Sequence, residues 1–221
     1  MKIIDGVYAY IWRSIFENNS NMYYFGEPLN ILFDPGLKNY MDVRTKEIEK
    51  DGVNLDDIKY IVNTHGHQDH FDGSVYFMNK NISIAMYKEE IDFVEKTGPM
   101  FAQMMGMEFP KIKYDNILEV GKWKVGNTEL EIFHTPGHSP GSICVYWPEK
   151  KTLVCGDLIF ENSVGRVDFP GGSADLLKDS IKKMSKLDIE LLLPGHMGFI
   201  KGKKEIMKNF DFIISQYFPI M

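Results

Sequence analysis

Three histidines and an aspartate fall within one short stretch, Thr64-His65-Gly66-His67-Gln68-Asp69-His70, in a chain that holds six histidines altogether. Imidazole nitrogens and carboxylate oxygens crowded so closely suit a first-row cation such as zinc. These four donors alone cannot easily hold two cations, so further donors are expected elsewhere. His138 stands in Thr135-Pro136-Gly137-His138-Ser139-Pro140-Gly141, a loop that prolines and glycines make rigid. Asp157 follows Gly156, and His196 follows Pro194-Gly195. A lone histidine after Pro-Gly is more often a cap or a surface residue. Three such donors beside a His-x-His-x-Asp-His cluster favour ligation instead. The candidate metal-ligating set is therefore His65, His67, Asp69, His70, His138, Asp157 and His196. His134 is left over and is expected at a strand end, at most supporting the ligands from outside.

These donors need elements to present them. Residues 59–63, just before the histidine cluster, are β-branched and aromatic and read as a buried strand. Residues 152–155 and 190–193 read as short strands ahead of Asp157 and His196, and residues 128–134 as a strand ahead of the His138 loop. Each donor group thus follows a strand, the placement expected for loops gathered at one sheet edge. Upstream, residues 3–11 have strand spacing, and residues 21–25 and 30–33 form a hairpin pattern ending in the turn Asp34-Pro35-Gly36. Asp34 is expected to brace the site from that strand end. A polar helix is expected over 40–50, a helical segment over 74–80 capped by Asp72, a strand over 82–86, and a helix over 88–96 stopped by Thr97-Gly98-Pro99. Residues 99–116 fit no regular pattern. Their methionines, Met100, Met104, Met105 and Met107, suit either a flexible lid or a helix packed on the core.

In the second half, residues 119–125 and 128–134 form a hairpin pattern around Gly126-Asn127, and residues 142–147 read as a strand. A glycine-rich irregular stretch runs to Gly172. A helix N-capped by Ser173 follows, with Leu177, Ile181 and Met184 on one face. The last helix covers 203–217. Its Phe210, Ile213 and Phe218 suit either a homo-oligomer contact or core. Strands followed by strand–helix alternation, twice over, suggest an α/β fold of two similar halves. Two sheets face to face with helices outside, a four-layer sandwich, would bury such strands on both sides, although periodicity alone does not separate it from other α/β layouts.

A length of 221 residues fits one domain over 1–221. With 44% hydrophobic and 25% charged residues the composition is that of a soluble globular protein. The net charge of −6 gives no reason to expect a nucleic-acid partner. No apolar run approaches the ~20 residues of a membrane helix. Residues 1–6 lack a signal-peptide core, and Cys144 and Cys155 read as small buried hydrophobes, so a cytoplasmic setting is expected.

Taken together, residues 64–70, the His138 loop, Gly156-Asp157 and Pro194-Gly195-His196 resemble the metallo-β-lactamase-fold superfamily, in the right order and across nearly the whole chain. Residues 160–172, with Gly165-Arg166-Val167-Asp168, look most like its glyoxalase II-like branch; the persulfide dioxygenases share a similar stretch. Class B β-lactamases match poorly, since a histidine stands at 70. The resemblance implies an αββα sandwich with one metal held by His65, His67 and His138, and another by Asp69, His70 and His196. Asp157 would bridge them. Two divalent cations are implied, zinc foremost, with iron or manganese as alternatives. The chemistry that follows is hydrolysis of a thioester or related ester by a bridging hydroxide, with Asp69 orienting it or taking its proton. The expected partner is a small-molecule substrate, read by Arg166 if it is anionic; Arg166 could equally brace its loop by pairing with Asp168. Gln68, Tyr146 and Phe169 are further candidates for contouring the pocket. The chain leaves room for about one helix after His196, so the added glutathione-binding helical region of glyoxalase II enzymes is not expected. The rivals are a mononuclear iron persulfide dioxygenase using His65, His138 and Asp157, a lactonase or phosphodiesterase on the same fold, and a non-catalytic metal-binding regulatory module.

Overall fold

The computed structural model describes residues 1–14, 16–104, 106 and 108–221. Seven strands line up in chain order in the first sheet: β1 (Lys2–Ile4), β2 (Val7–Tyr10), β3 (Met22–Phe25), β4 (Ile31–Phe33), β5 (Tyr60–Val62), β6 (Ser83–Tyr87) and β7 (Asn116–Leu118). The second half supplies β8 (Gly121–Val125), β9 (Thr128–His134), β10 (Ile143–Trp147), β11 (Thr152–Gly156), β12 (Ile159–Phe160), β13 (Ser163–Val164), β14 (Leu191–Pro194) and β15 (Ile200–Lys201). Six of these form the second sheet in the order β15-β14-β11-β10-β9-β8, while β12 and β13 make a separate hairpin.

Central strands such as β3, β4 and β10 are apolar without interruption because both faces of the sheets are covered there, whereas the edge strand β8 alternates and exposes Lys122 and Lys124. In β3, Tyr23 and Phe25 enter the core between the sheets, whereas Met22 and Tyr24 point to the opposite layer. In β10, Ile143, Val145 and Trp147 face that inter-sheet core, whereas Cys144 and Tyr146 face outward. Helix α1 (Met41–Lys50) covers the outer face of the first sheet with Met41 and Ile48. The short α2 (Gln68–Phe71) and the long α3 (Lys88–Met104) pack nearby through Phe71, Ile91 and Val94 against Met86. On the far side, α4 (Ala174–Met184) and α5 (Lys203–Gln216) bury Leu177, Ile181, Phe210 and Ile213 on the second sheet. This is the expected four-layer α/β arrangement. Phe210 and Ile213 belong to its core, not to an exposed face.

Ser173 caps α4 by accepting from the Leu176 N–H. Other local expectations are corrected. Residues 3–11 form two strands, because the chain turns at Asp5-Gly6 and β1 pairs antiparallel with β2. The helix expected over 88–96 runs through Gly98-Pro99 to Met104. Proline removes the backbone hydrogen bond to the Glu95 carbonyl there, but Ala102 beyond it is buried. Of the methionines suggesting a lid, Met105 and Met107 lie outside the described residues, and Met100 and Met104 are exposed. Residues 116–118 already form β7 of the first sheet, and the second sheet starts only at Gly121. The stretch expected to be helical over 74–80 is a tight 3-10 turn spanning Asp72–Phe77. Asp72 does not cap it; its carboxylate accepts from the Lys38 N–H at 2.8 Å and ties two loops together. Within the glycine-rich stretch lies the β12–β13 hairpin. Both cysteines are free and buried. Among the described residues no helix is long and apolar enough to cross a membrane.

The parallel run β4–β5–β6, with Leu32 opposite Ile61 and Ile61 opposite Ile84, sends three strand ends the same way. In the other sheet β11 and β14 are parallel, with Val154 opposite Leu193. The rigidity of these ends depends on the inter-sheet core, where the fully buried Phe25 ring lies 4.8 Å from Phe33 and 5.2 Å from Trp147. Phe25→Ala is expected to lower stability by about 3–5 kcal/mol. Urea denaturation should show an earlier midpoint with an unchanged slope.

Candidate metal centre

Five strand ends converge at one edge of the sandwich. β4 ends at Asp34, β5 leads into the histidine cluster, β9 into the His138 loop, β11 into Asp157 and β14 into His196. The structure brings all seven predicted donors together there. Donor atoms of His65, His67 and His138 lie within 4.8 Å of one another, and so do those of Asp69, His70 and His196. Asp157 stands between the two groups. Its Oδ1 is 3.3 Å from His70 Nε2, and its Oδ2 is 3.4 Å from both His138 Nε2 and His196 Nε2. His134 is outside the cluster, its ring bonded to the Pro140 carbonyl at 2.8 Å.

Asp34 decides which nitrogens face inward. Its Oδ1 accepts the Thr64 N–H at 2.8 Å, and its Oδ2 accepts the Thr64 hydroxyl at 2.7 Å. The same Oδ2 lies 3.0 Å from His70 Nδ1, which therefore donates to it. With its proton committed to Asp34, the Thr64 hydroxyl can only accept from His65 Nδ1, 3.2 Å away. Both rings are thus left presenting Nε2 to the site. His138 is set the same way, since its Nδ1 donates to the Arg166 carbonyl at 2.7 Å. Its Nε2 faces His67 Nδ1 at 2.7 Å.

Charge in this nest is sharply divided. Burial, reinforced by the neighbouring histidines, pushes His65 well down and His67 to about 3. Burial also opposes a proton on His70, but the Asp157 and Asp34 carboxylates more than reverse this and hold it well up. At His196 burial is likewise outweighed by Asp157 and Asp69, and the group rises to about 9. Burial disfavours the Asp157 carboxylate, yet His196 and His70 keep it well below the usual range. His65 Nε2 and Asp157 Oδ1 are buried with no hydrogen-bond partner. A histidine nitrogen turned inward by its own tautomer, with nothing to bond, fits a metal ligand.

Some site residues carried little local signal. Asn18 donates to Asp69 Oδ2 at 2.7 Å. Asn21 donates to the carbonyls of Pro194 and Met197, at 3.0 and 2.9 Å, and the Tyr23 hydroxyl donates to Pro194 at 2.7 Å, so both flanks of His196 are held by the other sheet. The run Asn18-Asn19-Ser20-Asn21 was the one hint, since short polar side chains at a strand start often bond to backbone.

A cleft of about 520 Å³ opens over the donors, walled by Leu37, Phe101, Phe160, Val164 and Phe169 with Asn18 and Gln68 at its polar side. Arg166 lies at this cleft, forked onto Asp168 at 2.7 and 2.6 Å and 3.8 Å above the centre of the Phe169 ring. Gln68 and Phe169 line the cleft as expected. Tyr146 does not; it packs under α4 and bonds the Asp188 carbonyl at 2.7 Å.

Residues 15–196 match the family model of the metallo-beta-lactamase superfamily. The chain is 30% identical over 206 residues to the hydroxyacylglutathione hydrolase GloC of Haemophilus influenzae, covering 88% of this chain and 92% of that one. Among solved structures it resembles the BLEG-1 B3 metallo-beta-lactamase, with a TM-score of 0.77, 25% identity, and coverage of 94% and 99% of the two chains. It also resembles TTHA1623 in a di-iron-bound form, with a TM-score of 0.70, 26% identity, and coverage of 86% and 91%. The chain therefore belongs to the metallo-β-lactamase superfamily and is a metallo-hydrolase whose fold binds divalent metal.

Replacing Asp34 by alanine is expected to free the tautomers of His65 and His70 together. Metal affinity should fall roughly 10–100-fold, read by competition against a chelator; affinity unchanged from the parent protein would contradict this role.

Proposed function

We propose that this chain is a binuclear metallo-hydrolase that cleaves a thioester or a related ester of a small molecule. The observation that carries the reading is the pair of donor trios with the Asp157 carboxylate between them. His65, His67 and His138 would hold one cation, and Asp69, His70 and His196 the other, with Asp157 shared. Zinc suits this mixed nitrogen and oxygen set, and iron or manganese are the alternatives. A di-iron form of TTHA1623 supports two metals on this fold, and the name of the Haemophilus influenzae relative supports a thioester.

When bound, the cations supply a water acidified from 15.7 toward about 7 and a Lewis acid for the substrate carbonyl. The chain's own residues do the rest. Asp69, held by the Asn18 amide, lines the cleft, where it can orient the attacking water and accept its proton. Phe101, Phe160 and Phe169 narrow the cleft and keep bulk water from the acyl group. Water adds to the carbonyl carbon, the carbon–sulfur bond breaks, and a carboxylate and a thiol leave. A thiolate needs little acid assistance, which agrees with a site whose nearest proton carriers are its ligands.

Elemental analysis of protein purified without added metal, followed by a panel of thioesters, lactones and phosphodiesters, tests the reading. About two zinc ions per chain and turnover of thioesters are expected. A single iron with oxygen consumption on a persulfide would replace this reading with dioxygenation. His67→Ala should lose metal and abolish hydrolysis; unchanged turnover by a fully metallated variant would sink the scheme.

A further inference from the structure

A buried acid outside the donor set is Glu90, on the first turns of α3 and 1% exposed. Its Oε1 accepts the Gly66 N–H at 2.7 Å, and its Oε2 accepts the Gly141 N–H at 2.7 Å. Gly66 lies between the ligand candidates His65 and His67, and Gly141 closes the loop that carries His138. One carboxylate therefore spans two loops that come from different sheets, and those loops supply the whole of the first donor trio.

The approach of α3 depends on both partners being glycine. A Cβ at Gly66 would collide with the Val94 side chain, and one at Gly141 with the backbone of Glu90 itself. Both loops thus lie directly against the helix, with no side chain between. Loss of the carboxylate would take this acceptor from both N–H groups, of which that of Gly141 is buried. Hydrogen bonds from backbone N–H groups to a buried carboxylate are short and strong, and they fix the peptide planes that carry the ligands.

We propose that Glu90 is a positioning residue for the metal centre, one carboxylate clamping the Gly66 and Gly141 peptides so that His65, His67 and His138 converge on a single cation. The proposal rests on the metal-binding reading above but not on the choice of substrate.

Its test is metal affinity measured apart from stability. Glu90→Gln keeps the size of the side chain and one accepting oxygen, while turning an NH2 group against a buried N–H. Glu90→Ala removes the clamp but risks the fold, so the glutamine variant decides. A control, Ile48→Ala, destabilises the α1 layer and touches neither loop. Metal-free and metal-loaded proteins are compared by thermal midpoint, chelator competition for zinc, and the visible absorption of bound cobalt. Glu90→Gln is expected to bind the first cation about 10–100-fold more weakly with an altered cobalt spectrum, while Ile48→Ala keeps parent affinity and spectrum despite its lower midpoint. Parent-like affinity and spectrum in Glu90→Gln would overturn the proposal. So would an equal loss of affinity in Ile48→Ala, since the effect would then be general destabilisation. If the parent protein itself binds neither zinc nor cobalt, the metal-binding reading fails first and the clamp falls with it.

Discussion

A single buried carboxylate, that of Asp34, holds the donor nest in its working arrangement. It takes the Thr64 peptide N–H, the Thr64 hydroxyl and His70 Nδ1 at once, and through the hydroxyl it also reaches His65. The consequence is chemical as much as structural. Each of those two imidazoles has two nitrogens, and only one can face inward as a free base. An acceptor at the outer nitrogen removes the choice. Burying a carboxylate without partners is costly, so the site is stable only while Asp34 keeps its donors. The donors keep their geometry for the same reason.

The rest of the fold makes that arrangement affordable. Asp34, the histidine cluster, Asp157 and His196 follow β4, β5, β11 and β14, strands whose apolar side chains are buried on both faces. Side chains that loops alone would leave mobile are therefore fixed to rigid strand ends. Asn21 and Tyr23 extend from the first sheet to the carbonyls beside His196 in the second, so the two halves share the site as well as the core. Like charges and like donors crowd together because the framework was set elsewhere, in contacts such as Phe25 on Trp147.

The opening of the cleft shows the same division of labour. Phe169 is held from above by the Arg166 guanidinium and from the side by Phe101, 5.3 Å away between ring centres. Phe101 owes its position to a helix that continues past Gly98-Pro99. Local propensity argued for a stop there, and tertiary packing overruled it, as it commonly does for single breakers near a helix end.

Much of this was legible along the chain. Strand and helix patterns alternating twice over suggested two similar halves, and the donors named themselves by residue type and by standing after strands or after Pro-Gly. These features are local, so sequence alone determined an α/β class and the candidate donor set, while the choice of a four-layer sandwich over other α/β layouts came from the family resemblance and from the packing of the two sheets. It could not show that residues 3–11 bend into a hairpin or that β7 and β8 belong to different sheets, because chain direction changes leave alternation intact. Nor could it show the partners of the donors. Asn18 against Asp69, Asn21 against Pro194 and Asp34 against His70 are meetings of residues far apart in the chain. An Asn or Asp carries the same propensities whether it ends in solvent or in a buried hydrogen bond. Only the packing of two sheets against each other decides which it is, and with it which nitrogen each histidine offers.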